Sequence, residues 1–153
     1  MNAPDHERLH ILSVEDEPLN RVLLRAILER AEEPRLREAS LTDAASLAEG
    51  RAVLAAGVFD LVLLDKRLPD GDGLDLARDI RNRAASARPI VIALTADAVP
   101  STRAAATGAG CAELVVKPYR AEELVAAIMK ALDAVENGRH GNSGLDDAPV
   151  MAS

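Results

Sequence analysis

An apolar run that stops at a carboxylate constrains this chain more than any other feature. The segment Asp60–Gly73 reads Asp-Leu-Val-Leu-Leu-Asp-Lys-Arg-Leu-Pro-Asp-Gly-Asp-Gly. Leu61 to Leu64 has the unbroken apolar character of a strand buried on both faces. Pro69, Gly71 and Gly73 end it in a turn. Asp65 therefore stands at the carboxyl end of a buried strand, where open α/β sheets place their ligands. A carboxylate there must be solvated, paired or bound to a metal. Taken alone, Asp65 could equally be a strand-end cap for the next helix.

The rest of the chain alternates strand and helix signals. Leu9 to Val14 reads as a first strand and ends in Glu15-Asp16-Glu17. Pro18 suits the first turn of a helix. Leu19, Val22, Leu23, Ala26 and Ile27 then fall at helical spacing, so a helix is expected to about Ala31. Arg35 to Ala39 is a short, weak strand candidate. Thr42 or Asp43 is expected to cap a second helix, running to about Ala56 with Leu47, Ala48, Val53 and Leu54 inward. A third helix follows Gly73 to roughly Ala85. Pro89 opens a fourth strand, Ile90 to Leu94, that ends in Thr95. A helix from Ser101 to about Thr107, stopped by Gly108 and Gly110, leads to a fifth strand, Ala112 to Val116, ending at Lys117. The last helix is expected from Ala121 to Val135, with Leu124, Ile128 and Leu132 inward. The folded core is thus about 9–135 within a domain of residues 1–136, and residues 137–153 are expected to be a disordered tail. Five strands alternating with helices give a doubly wound α/β fold, a five-stranded parallel sheet covered on both faces.

Four polar positions now fall on one rim. Asp16, Asp65, Thr95 and Lys117 each follow an apolar run at its carboxyl end. Carboxylates gathered there repel one another unless a cation sits among them. Oxygen ligands with positions left to water favour Mg²⁺.

The pieces Val14-Glu15-Asp16-Glu17-Pro18-Leu19-Asn20-Arg21, Leu63-Leu64-Asp65-Lys66-Arg67-Leu68-Pro69-Asp70-Gly71-Asp72-Gly73, Ala93-Leu94-Thr95-Ala96 and Val116-Lys117-Pro118 occur in that order. Together they resemble the receiver domain of two-component response regulators, over about Leu9 to Val135. The resemblance implies a flavodoxin-like strand order 2-1-3-4-5. It implies Asp65 as phosphoacceptor, charged from a phosphohistidine on a sensor histidine kinase or a histidine phosphotransfer protein. Mg²⁺ would be bound by Asp16, Asp65 and the main-chain carbonyl of Arg67, with Glu15 acting through water. Thr95 would hydrogen-bond a phosphoryl oxygen, and Lys117 would pair with Asp65 and then with the phosphoryl group. The product would switch or relay a signal to a downstream protein. Too few residues follow the last helix for a second domain, so a stand-alone receiver is expected.

Three positions depart from the family pattern. Receivers usually carry Tyr or Phe three residues before the lysine, and Leu114 stands there. Switching that turns an aromatic ring inward is therefore in question, and the response is expected at Thr95 to Ser101. Lys66 and Arg67 follow the acceptor directly. Arg67 is expected to reach Asp97 and bridge the site, which would slow loss of the phosphoryl group. Two alternatives remain. One is a degenerate receiver that only binds partners. The other is an aspartyl-phosphate phosphatase of the haloacid-dehalogenase type, which wants an Asp where this chain has Arg67. Asp70-Gly71-Asp72-Gly73 lacks the ligand pattern of a calcium loop and reads as a turn.

Composition agrees. Net charge is −7 with no basic run, which argues against nucleic acid as partner. The single cysteine, Cys111, excludes an internal disulfide and fits a reducing compartment. No signal segment or membrane-length apolar run is present, so a soluble, cytoplasmic protein without membrane contact is expected. His6, His10 and His140 share no ligand spacing with Cys111.

Overall fold

The computed structural model describes residues 8–84 and 88–145. Its main sheet is parallel and five-stranded. The strands are β1 (His10–Val14), β2 (Ser40–Ala44), β3 (Leu61–Asp65), β6 (Ile90–Thr95) and β7 (Glu113–Val116), in the order β2-β1-β3-β6-β7. Between β3 and β6 lies a two-residue antiparallel ribbon, β4 (Arg67–Leu68) with β5 (Gly71–Asp72). Leaving that ribbon aside, the order is the expected 2-1-3-4-5.

Strand periodicity splits the core in two. Leu12, Val14, Val62, Leu64, Val91 and Ala93 face one side, against α3 (Leu47–Ala56), α4 (Leu74–Arg81) and α5 (Pro100–Gly108). Ile11, Leu61, Leu63, Ile92, Leu94 and Val115 face the other, against α1 (Pro18–Glu29) and α6 (Ala121–Leu145). β3 is buried at every residue, Asp65 included, because strands flank it on both edges and helices cover both faces. Leu124, Ile128 and Leu132 of α6 point inward as the spacing predicts.

The second strand and the helix after it lie elsewhere than expected. Pro34–Arg37 is a helical turn, α2, and the strand is Ser40–Ala44. This edge strand buries only Ala44 fully, so its sequence carries little apolar signal. Thr42 and Asp43 lie inside the strand rather than at a helix cap. Ser46 caps α3 instead: its hydroxyl accepts from the Glu49 N–H, and the Glu49 carboxylate accepts from the Ala45 N–H. Gly50 is tolerated in the middle of α3 because the helix lies close on the sheet. A Cβ there would come within 3.1 Å of Leu76 and 3.3 Å of Val14.

Two helix ends also differ. α4 stops at Arg81, short of the expected Ala85, which lies outside the described residues. α6 runs to Leu145, so residues 137–145 are helical rather than tail. Elongation of a formed helix adds one hydrogen bond per residue, and no proline interrupts it before Pro149. The rest of the expected tail, 146–153, lies outside the described residues. Among the described residues no helix is long and apolar enough to cross a membrane.

Candidate functional site

The carboxyl ends of β1, β3, β6 and β7 form one rim. Glu15 is 4% exposed and Asp65 7% exposed, whereas Asp16 is open to solvent. Glu15, Asp16 and Asp65 each bring a carboxylate oxygen within 4.8 Å of the others. Lys117, at the end of β7, lies across this group. Its Nζ is 2.9 Å from Glu15 Oε1 and 3.2 Å from Asp65 Oδ2. The sequence reading paired Lys117 with Asp65 alone. The ammonium is shared, and Glu15 takes the shorter contact.

Burial, first, and then the neighbouring Glu15 charge push the Asp65 carboxyl above its ordinary value. The Lys117 ammonium and the Arg67 N–H, which donates to Asp65 Oδ1 at 3.2 Å, pull it back. For Lys117, burial favours the neutral amine. The hydrogen bond to Glu15 and the charges of Asp65 and Glu15 outweigh it, so its pKa rises. Two buried carboxylates thus share one ammonium seated between them.

Glu15 is occupied at every polar group. Its N–H donates to the Ala44 carbonyl, and its own carbonyl accepts from Arg21 Nη1 at 2.7 Å. Oε2 accepts from the Glu17 N–H at 3.0 Å while Oε1 receives Lys117. An all-oxygen donor set at this spacing fits Mg²⁺. Glu15, Asp16 and Asp65 together could hold such an ion, and Asp16 is the one of the three whose carboxylate has no hydrogen bond or ion pair among the described residues.

The chain after Asp65 folds back tightly. The Lys66 N–H donates to the Leu94 carbonyl, and the Lys66 carbonyl accepts from the Gly73 N–H at 2.7 Å. A Cβ on Gly73 would sit 2.1 Å from the Asp65 carbonyl oxygen, so only glycine fits. Asp70 and Asp72, read from sequence only as turn residues, are structural anchors. Asp70 accepts the Leu47 and Ala48 N–H groups at the start of α3. Asp72 accepts the Leu74 N–H at the start of α4 and pairs with Lys66 at 3.2 Å. The spacing of the Asp residues around Gly71 was visible in sequence; which helix each one caps was not.

The bridge expected between Arg67 and Asp97 is not formed. Arg67 is exposed on β4. Asp97 Oδ1 accepts from the Val99 N–H at 3.1 Å, and Oδ2 lies 3.4 Å from the Thr102 hydroxyl. The carboxylate is held by its own loop at the start of α5, a local bond that costs less chain entropy than spanning the site. Lys66 likewise turns to Asp72. Thr95 is 3% exposed, and its hydroxyl accepts from the Asp97 N–H at 3.1 Å. Leu114 packs against the edge of the core over α3, α4 and α5. Tyr119, beside Lys117, has its phenol pushed up by burial.

Known proteins share this family and fold. The family model for the response regulator receiver domain matches residues 11–129. The transcriptional regulatory protein ResD of Bacillus subtilis is 39% identical over 141 residues, covering 92% of this chain and 55% of ResD. The KDP operon transcriptional regulatory protein KdpE of Escherichia coli is 37% identical over 123 residues, covering 80% of this chain and 51% of KdpE. The chain thus spans about half the length of these two relatives. Among solved structures, the receiver domain of the sensor histidine kinase PA1611 of Pseudomonas aeruginosa, with magnesium in its active site cleft, superposes with a TM-score of 0.69. It is 29% identical and covers 82% of this chain and 98% of its own. With the parallel sheet, the acidic corner and the lysine on one rim, the chain belongs to the response regulator receiver domain family, the phosphoacceptor signalling domains of two-component systems.

Proposed function

We propose that Asp65 accepts a phosphoryl group from a phosphohistidine and that the aspartyl phosphate signals through contact with another protein. The observation that carries this reading is the position of Lys117. Its ammonium sits between Glu15 and Asp65, beside the exposed Asp16 carboxylate. An ionised carboxylate needs no base to act as nucleophile. An Asp65 oxygen forms the new O–P bond while the P–N bond breaks, its electron pair returning to the imidazole. Charge spreads over the equatorial oxygens in flight, so the domain contributes positioning and cations. Lys117 supplies one positive charge. Mg²⁺ held by Asp16, Asp65 and the Arg67 carbonyl supplies, when bound, further neutralisation of those oxygens. The Thr95 hydroxyl, which only accepts in the bond with the Asp97 N–H, serves as donor to a phosphoryl oxygen.

The surroundings support a protein as phosphoryl donor. Leu19, Val22 and Leu23 of α1 are 65%, 63% and 51% exposed beside the rim. A trough of about 400 Å³ runs from Leu23 past Ala96 and Pro118 to Tyr119. This apolar border fits a sensor histidine kinase or a histidine phosphotransfer protein better than a free metabolite. The net charge of −7 favours a protein target over nucleic acid for the output.

Incubation with acetyl phosphate and Mg²⁺, followed by intact mass, tests the reading. Wild type is expected to gain one phosphoryl group and Asp65→Asn none. An adduct that survives Asp65→Asn places the acceptor elsewhere.

A further inference from the structure

We infer that Arg21 is a positioning residue for the Mg²⁺ corner, acting through the Glu15–Asp16 peptide. The inference rests on the receiver reading of that corner. Among the described residues no hydrogen bond or ion pair holds the Asp16 carboxylate. Its main chain, rather than a side-chain partner, therefore fixes where it starts on the rim. That backbone is fixed on one side by the Glu15 N–H on the Ala44 carbonyl and by the Glu17 N–H on Glu15 Oε2. Of the two polar groups of the Glu15–Asp16 peptide itself, the carbonyl is the one with a partner among the described residues: Arg21 Nη1 donates to it at 2.7 Å. A charged donor makes this bond stronger than a neutral one. Glu15 is 4% exposed, so its carbonyl has little access to replacement water.

The helix geometry explains why this residue can do it. Arg21 closes the first turn of α1, its N–H donating to the Glu17 carbonyl. The side chain reaches back over the first turn, as helical side chains do. One turn further on, Arg25 binds Asp43 on β2 at 2.9 Å. Two arginines on adjacent turns thus fasten α1 to the sheet, one to the peptide that carries the metal-ligand Asp16, the other to an edge strand. Loss of Arg21 frees the peptide to rotate and lets Asp16 swing. Loss of Arg25 loosens the same helix without touching that peptide.

Mg²⁺ titration of the full chain by calorimetry tests this, with the fluorescence of Tyr119 as a second readout. The chain has one Tyr and no Trp, so that signal comes from beside the site. Arg21→Gln is expected to weaken Mg²⁺ binding about tenfold, with Arg21→Lys between it and wild type and Arg25→Gln close to wild type. Equal or tighter binding by Arg21→Gln overturns the inference, because the guanidinium would then only repel the cation. Equal weakening by Arg21→Gln and Arg25→Gln also overturns it, as general loosening of α1. Should Arg21→Gln unfold, Arg21→Lys must bind more weakly than both wild type and Arg25→Lys. A wild-type chain that binds no Mg²⁺ sinks the receiver reading of the corner and the inference with it. A wild type that binds, with Arg21→Gln unchanged, sinks the inference alone.

Discussion

The two sides of Asp65 are built differently. Toward β1 and β7, the groups that handle charge are already tied to one another. Lys117 touches Glu15 and Asp65, Glu15 is held by Glu17 and Arg21, and Arg67 holds Asp65. Toward α5, the polar groups are tied only to themselves. Thr95 accepts from Asp97, and Asp97 is satisfied by Val99 and Thr102. One side is assembled before any phosphoryl group arrives. The other keeps its hydroxyl in a local turn, as acceptor of the Asp97 N–H. Catalytic parts gain from rigidity because reorganisation during reaction costs rate. A switch needs an alternative set of bonds of similar energy.

Breaking the assembled side is expected to have the largest effect. Lys117→Ala should slow phosphorylation by acetyl phosphate about 10²-fold, the cost of losing one donor aimed at developing charge. It should also lower stability by about 3 kcal/mol in urea melts, since Glu15 and Asp65 lose their shared cation in a buried setting. A rate within a few-fold of wild type would mean that the ammonium is structural only. Gly73→Ala should cost roughly 2–3 kcal/mol in the same melts, because a methyl cannot occupy space 2.1 Å from the Asp65 carbonyl oxygen.

The self-contained side gives the next prediction. On adding beryllofluoride with Mg²⁺, amide shifts should be larger for Thr95–Ser101 than for Glu15–Arg21. Thr95→Ala should shrink the loop response while phosphorylation slows less than in Lys117→Ala. Equal shifts on both sides would erase the distinction.

Cys111 offers the smallest effect and a control. Burial pushes its thiol from 9.0 up to about 11. At pH 8 alkylation should be slow, and unchanged by beryllofluoride if the response stays in the loop. The fold favours the neutral thiol. Its stabilising contribution is complete below the ordinary thiol pKa and is lost as pH rises through about 11.

Sequence made some parts of this molecule plain and concealed others. β3 was readable because a strand buried on both faces must be apolar throughout. The first strand and β6 followed for the same reason, edge strand β7 by its Leu-Val-Val run, and the inward face of α6 by helical spacing. β2 was hidden because an edge strand half open to water can be written in Ser, Thr and Asp. The capping box Ser46-Leu47-Ala48-Glu49 was a usable signal for the start of α3 and would have moved Thr42 and Asp43 out of the cap. The Arg67–Asp97 bridge failed because charge and proximity in sequence do not say which of several partners a carboxylate takes. Asp97 found nearer ones.

The order of apolar runs, each ended by Asp, Thr or Lys, determined the alternating fold and placed Asp16, Asp65, Thr95 and Lys117 on one rim, because parallel strands must all end on the same side. Only the tertiary structure decided how Lys117 is shared, that Arg21 holds the Glu15 carbonyl, and that Thr95 rests in its own loop. Those choices depend on which polar groups burial brings within hydrogen-bond reach, and sequence spacing does not carry that information.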